Sequence, residues 1–284
     1  MLNKNLILNY ITPLNPIPTS LKKSGNLDGK IKCILFDIYG TLFISGSGDI
    51  SIAEKKALDA HHLEQLLLKY DIKRKPSAIR NDLFCAIKEK HDELREKGID
   101  FPEVEIDRIW TNVLENNDLD FIRSFAVEFE MLVNPVYPMP HVRELLFACK
   151  DSKLLTGIIS NAQFYTPYLF KWLMGSDMSR LGFHPELTFF SYEFGHAKPS
   201  TFLFQLAAER LNNMNIREES VLYIGNDMLK DIYPAKMTGF KTALFAGDSR
   251  SLRLREDDPK CKNLSADIIL TDFLQVFDFI FPTE

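Results

Sequence analysis

An α/β fold, a doubly wound parallel sheet with an all-helical module inserted after its first strand, follows from three features of the sequence. Six short apolar runs lack polar alternation, the pattern of strands covered on both faces. Segments of helical hydrophobic period stand between the later runs, so right-handed crossovers between parallel neighbours are the natural connection. The stretch 44–135 breaks that alternation with helical patterning alone.

Taken in order, residues 1–30 contain Pro13, Pro16 and Pro18, then Lys22, Lys23 and Lys30 against Asp28, and are expected to be loose or draped over the core. Ile31–Phe36 (IKCILF) runs into Asp37 and Gly40, which reads as a buried strand and a turn. In the insert, Ile79, Leu83, Ala86, Ile87 and Leu94 lay an apolar stripe along one helix face. Strands are then expected at Leu155–Ser160, Leu187–Ser191, Val221–Ile224, Thr242–Phe245 and Asp267–Leu270. Helices are expected at Pro140–Cys149, Phe164–Met174, Thr201–Leu211 and Leu229–Met237. The chain thus divides into a lead-in, 1–30; a core discontinuous in sequence, 31–43 plus 136–284; and a helical insert, 44–135.

Hydrophobic residues make up 45% of the 284 and charged residues 26%, enough to bury a sizeable core. The net charge of −5, from 34 basic and 39 acidic side chains, offers no positive excess for a phosphate backbone and argues against nucleic acid as a partner. The excess sits in the insert, whose 13 basic and 19 acidic residues give −6. Cys33, Cys85, Cys149 and Cys261 are at least 52 residues apart, without metal-ligand spacing, which suits a reducing compartment. Asn9 interrupts the apolar patch Leu6–Leu8, and no run approaches the roughly 20 residues of a membrane span. A cytoplasmic protein with no membrane partner is expected.

Chemistry in an open parallel sheet gathers at the carboxyl ends of strands. Four such ends carry polar residues here: Asp37-Ile38-Tyr39-Gly40-Thr41, Ser160-Asn161, Lys198-Pro199, and Gly225-Asn226-Asp227 with Asp231. Each alone has a structural explanation, as a turn, a helix cap or a first-turn acid. In this order at successive strand ends they point to one site.

The four loops resemble the motifs of the haloacid dehalogenase superfamily of hydrolases, over Ile31 to about Leu270, with 44–135 in the place of that family's helical cap. FDIYGTLF at 36–43 matches the first motif, Asp-x-Asp-x-Thr, except at Tyr39. The resemblance implies a Rossmann-like core, Asp37 as nucleophile, Thr41 ordering the first loop, and Ser160, Asn161 and Lys198 as substrate-binding groups. It also implies Mg2+ held by Asp37, the Tyr39 carbonyl and Asp227 or Asp231, with the register of Asn226 and Asp227 open. At Tyr39 family phosphatases carry the aspartate that protonates the leaving alkoxide; a phenol can donate a proton but is a poor general base near neutrality. Asp-x-Tyr-Gly-Thr is instead similar to the first motif of the 2-haloacid dehalogenases. Those enzymes carry a tyrosine where this chain has Phe204, have a less acidic fourth motif and need no metal; for their substrate-gripping arginine, Arg74 and Arg80 are the candidates in the insert. Metal-assisted hydrolysis of a small phosphorylated anion is the leading expectation, carbon–halogen hydrolysis the alternative, and a silent binding module the third.

Other features carry less chemistry. His61-His62 reads as a surface pair and Gly46–Gly48 as a hinge into the insert; His141 and His196 are isolated in sequence, and His196 lies two residues before Lys198. Arg250, Arg253 and Arg255 face Glu256, Asp257 and Asp258 in what reads as a solvated charged loop.

Overall fold

The computed structural model describes residues 2–46 and 60–280. Its strands are β1 (Ser24–Gly25), β2 (Cys33–Phe36), β3 (Phe43–Ser45), β4 (Val136–Pro138), β5 (Leu155–Ser160), β6 (Phe183–Phe190), β7 (Val221–Gly225), β8 (Lys241–Phe245) and β9 (Ile268–Leu270). Seven form one sheet in the order β1, β9, β8, β7, β2, β5, β6, parallel throughout except where β1 pairs with β9. The chain moves outward from β2 through β5 to β6, then returns to the other flank of β2 at β7. Connections leave β2 in opposite directions, so a crevice opens at its carboxyl end.

The apolar runs form strands because both faces are covered. Ile34 and Phe36 join Ile158, Leu222 and Ile224 in one buried cluster, while Cys33 and Leu35 join Ile159, Val221 and Tyr223 in the other, as the two-residue period of a strand dictates. Gly157 lets β5 and β6 close, since a Cβ there would lie 2.3 Å from the Leu187 carbonyl oxygen.

The insert supplies α1 (Ala60–Lys69), α2 (Pro76–Glu96), α3 (Ile106–Leu114) and α4 (Leu119–Val133). Asp118 caps α4 by accepting from the Asp120 and Phe121 amides, and the helix buries Ile122, Phe125, Val127 and Met131. Phe125 packs edge-on against Trp110 and Tyr70. The expected stripe lies on α2, with Ile79 and Leu83 buried. The remaining helices are α5 (Val142–Asp151), α6 (Thr166–Met174), α7 (Ser191–Phe194), α8 (Phe202–Asn213), α9 (Tyr233–Met237) and α10 (Val276–Ile280).

Two details differ from the sequence expectation, and a third decides between its alternatives. An antiparallel ribbon, Phe43↔Pro138 to Ser45↔Val136, brackets the insert, so Ile44 and Ser45 continue a strand rather than open the helical module. The lead-in is draped, not loose: Ile7 is fully buried, the Tyr10 hydroxyl donates to Glu128 on α4 (3.0 Å), Thr19 donates to the Ala246 carbonyl, and β1 extends the sheet edge. The helix expected at Leu229–Met237 is split into a π-turn, Met228–Ile232, and α9, with Pro234 in the first turn of α9. Of the Gly46–Gly48 hinge, only Gly46 lies within the described residues. No described helix is long and apolar enough to cross a membrane.

Candidate active site

Parallel register sets the site. Phe36 is level with Ile158 on β5 and Ile224 on β7, so Asp37 emerges between the ends of both strands, its amide donating to the Ile224 carbonyl (2.9 Å). Gly40 follows at φ +90°, in the left-handed region, and a Cβ there would meet Ser251 and Asn226 at 2.6–2.7 Å. That close approach brings the first loop against the fourth: Thr41, fully buried, donates to Asn226 Oδ1 (3.0 Å), and Asn226 Nδ2 donates to the Ser251 carbonyl.

Asp37 is 6% exposed. Its Oδ1 accepts from Ser160 Oγ (2.8 Å) and Lys198 Nζ (2.7 Å), and its Oδ2 has no partner among the described residues. Lys198 Nζ also donates to Asp231 Oδ1 (2.5 Å) and the Tyr223 hydroxyl (3.1 Å). The Lys198 backbone is clamped by Asn161, whose side chain accepts from the Lys198 amide and donates to its carbonyl. Burial acts to lower the Lys198 ammonium, but Asp231 and Asp37 outweigh it and hold it above its usual range. Two carboxylates share that one ammonium, and burial together with Asp37 and Asp227 keeps Asp231 above the usual carboxylate range despite Lys198.

The fourth-loop acids divide. Asp231 turns inward and also accepts from the Asp227 amide (2.9 Å). Asp227 turns away: it caps the π-turn at the Leu229 and Lys230 amides and pairs with Arg255 (2.6 Å). The arginine loop is therefore not simply solvated. Arg255 holds Asp227, the Arg253 amide donates to the Asn226 carbonyl, and Arg250 pairs with the buried Asp248. Gly225 makes room for Asp231, since a Cβ would lie 2.4 Å from its carboxyl carbon. Gly225→Ala is expected to displace Asp231 and with it the Lys198 ammonium. Turnover should fall about 10²-fold, with a thermal melt reporting the roughly 1–3 kcal/mol of overpacking.

The Tyr39 hydroxyl shares a 2.8 Å hydrogen bond with Thr166 Oγ1 at the start of α6. Burial first, then Glu130 on α4, push this phenol well above its usual range despite that bond. Glu130 is itself pushed up by burial, against hydrogen bonds from Asn134 and Tyr165. Asp37, Tyr39, Glu130, Lys198 and Asp231 line one cavity of about 810 Å³, on the scale of a small-molecule pocket. Loop 101–106 of the insert is stitched over it: Gln163 accepts from the Ile106 amide and donates to the Val104 carbonyl, and the Ala197 amide donates to the Phe101 carbonyl.

The sequence motifs do not single out Tyr223, Gln163 or Glu130. Tyr223 is a hydroxyl-tipped residue in an otherwise aliphatic strand, and Glu130 a carboxylate within the apolar run FAVEFEMLV; a polar group in such a setting demands a partner, and that is the signal available. Arg74 and Arg80 are absent from the cavity lining; Arg74 donates to the Val113 carbonyl and pairs with Asp82. His196 stacks on Phe202 (4.0 Å), His141 pairs with Asp272, and His61 and His62 are exposed.

Among the described residues no three His, Cys, Asp or Glu side chains cluster as metal ligands. Magnesium needs only one or two carboxylates, completed by carbonyl, water and substrate oxygens. Asp37 with its spare oxygen, the Tyr39 carbonyl and the Asn226 carboxamide oxygen fit that donor class. Asp37, Asp227 and Asp231 also outnumber their cationic partners, Lys198 and Arg255, leaving negative charge for a cation to offset.

A Rossmann-like core whose central strand ends in a buried, lysine-held aspartate beneath a helical insert defines a class of capped hydrolases. The chain belongs to the haloacid dehalogenase-like hydrolases, whose family model matches residues 31–239. It is 27% identical over 215 residues, 75% of this chain and 83% of the relative, to the glyceraldehyde 3-phosphate phosphatase of Methanocaldococcus jannaschii. Its fold is similar to a HAD phosphatase from Thermococcus onnurineus, with a TM-score of 0.54 and 16% identity over 88% of this chain and 98% of that one. It is similar also to the 2-haloacid dehalogenase from Pseudomonas syringae pv. Tomato DC3000, with a TM-score of 0.51, 16% identity and the same coverage.

Proposed function

We propose that the chain hydrolyses a small phosphate monoester through a phosphoryl group carried on Asp37. The carrying observation is a buried carboxylate fixed between Ser160 and Lys198 with its second oxygen free of partners among the described residues. Its attack on phosphorus splits one difficult displacement into formation and hydrolysis of an acyl phosphate. Lys198 and Ser160 offset and orient the phosphoryl oxygens. Asn161 fixes the Lys198 backbone, Tyr223 and Asp231 fix its ammonium, and Thr41 with Asn226 holds the first loop in place. Asp37, the Tyr39 carbonyl and Asn226 would hold Mg2+, with Asp227 and Asp231 contributing negative charge to the site; when bound, the ion would offset charge between the anionic nucleophile and the phosphoryl group. The related phosphatase supports a small phosphorylated substrate, as does the cavity's size.

Carbon–halogen hydrolysis is the second reading, favoured by Tyr39, because a halide leaves without a proton. Tyr223 also brings to Lys198 a hydroxyl that Phe204, its ring 4.9 Å away, lacks. Against it, Arg74 and Arg80 lie outside the cavity lining, and Arg95, which does line it, is exposed and paired with Asp92.

With para-nitrophenyl phosphate, phosphate release is expected to require Mg2+, to stop on chelation and to return on re-addition. Halide release from a 2-haloacid without metal, together with no phosphate release, would overturn the proposal.

A further inference from the structure

An alkyl phosphate departs as an alkoxide, which needs a proton as the P–O bond breaks. The first loop offers only Tyr39, whose hydroxyl is engaged with Thr166. Among the carboxylates of the cavity, Asp37 and Asp231 are held by Lys198 and Asp227 by Arg255. Glu103 accepts from Ser191 and Gln163 in the stitching of the insert to the core. Glu130 is different. It sits on α4 in the wall of the same cavity, half-buried, and its hydrogen bonds come from neutral donors, the Asn134 carboxamide and the Tyr165 hydroxyl. A carboxyl in that setting gains little from ionising.

From this placement we infer that Glu130 is the proton donor to the leaving oxygen, supplied by the insert in place of a second acid on the first loop. The inference rests on the phosphomonoesterase reading. As an Asp37 oxygen bonds to phosphorus, the ester P–O bond breaks, its electron pair stays on the leaving oxygen, and the Glu130 proton moves there to give a neutral alcohol. In the second step Glu130, now a carboxylate, takes a proton from water as that water's oxygen bonds to phosphorus. The bond to Asp37 breaks, its electron pair returns to the Asp37 carboxylate, and inorganic phosphate leaves. Because α4 belongs to the insert, the acid–base machinery is complete only where insert and core together line the cavity.

The test compares Glu130→Gln with wild type on two esters, glycerol phosphate, which leaves as an alkoxide, and para-nitrophenyl phosphate, whose leaving group needs little proton. For Glu130→Gln, kcat/KM on glycerol phosphate is expected to fall about 10²- to 10⁴-fold, while kcat/KM on the aryl ester stays within about threefold. Because the second step also loses its base, kcat on the aryl ester should drop, with a burst of nitrophenol equal to the enzyme present. Retained aryl kcat/KM also reports a folded site, and Glu130→Asp should restore part of the alkyl activity. Equal loss on both esters, or loss on neither, overturns the role of Glu130. If wild type hydrolyses neither ester, the phosphomonoesterase reading fails, and this inference with it.

Discussion

Asp37→Asn is expected to cut turnover roughly 10⁴-fold or more, because a carboxamide is no nucleophile toward phosphorus, while leaving the fold at least as stable as before. The second half of that expectation comes from charge. Lys198 is shared by Asp37 and Asp231, all three nearly buried, so two negative charges face one positive charge out of water. Asparagine keeps an Oδ1 to accept from Ser160 and Lys198 and leaves a balanced Lys198–Asp231 pair. Loss of activity with an unchanged or raised melting temperature would mark Asp37 as a residue kept for chemistry at some cost in stability. Steady-state kinetics beside calorimetry checks both halves.

Lys198→Met should also remove activity, with the opposite effect on stability. Two buried carboxylates would then face only neutral donors, the Ser160 and Tyr223 hydroxyls and the Asp227 amide. Breaking a buried ion pair by removing one partner costs about 3–5 kcal/mol, since the charge left behind is uncompensated. The midpoint of urea unfolding should fall accordingly, and the loss should shrink in acid as the carboxylates protonate. Equal stability of Asp37→Asn and Lys198→Met would mean that Lys198 is not the counter-charge of the site. An added Tyr223→Phe substitution would separate the contribution of the hydroxyl.

Much of the core was legible because its strands are local signals. IKCILF, the run ending at Ser160 and VLYI each announce a buried strand, and the polar residues at their ends reach one crevice because parallel register aligns them. What escaped depends on partners distant in sequence. Tyr223 reads as a core aromatic until Lys198 and Asp231 meet its hydroxyl. Asp227 reads as a metal ligand until Arg255, 28 residues later, draws it outward. Whether the lead-in is loose or draped is not decided by its own residues, because Tyr10 finds its partner, Glu128 on α4, more than a hundred residues away, and Ile7 joins the main buried cluster. Glu128 illustrates the same point: it sits fully buried in an apolar helix, and only the fold reveals Tyr10, Lys69 and Tyr70 converging on it. The split of the Leu229–Met237 helix is similar, since the turn is set by Asp227 capping and by Asp231 folding back, not by propensity.

Asp37 is proposed to carry the phosphoryl group. Mixing the enzyme with Mg2+ and para-nitrophenyl phosphate, quenching in acid within one turnover and mapping peptide masses tests it directly. One added phosphoryl group is expected on the peptide bearing Asp37, absent in Asp37→Asn. Release of nitrophenol with the phosphoryl group on another side chain, or on none while turnover proceeds, would contradict it.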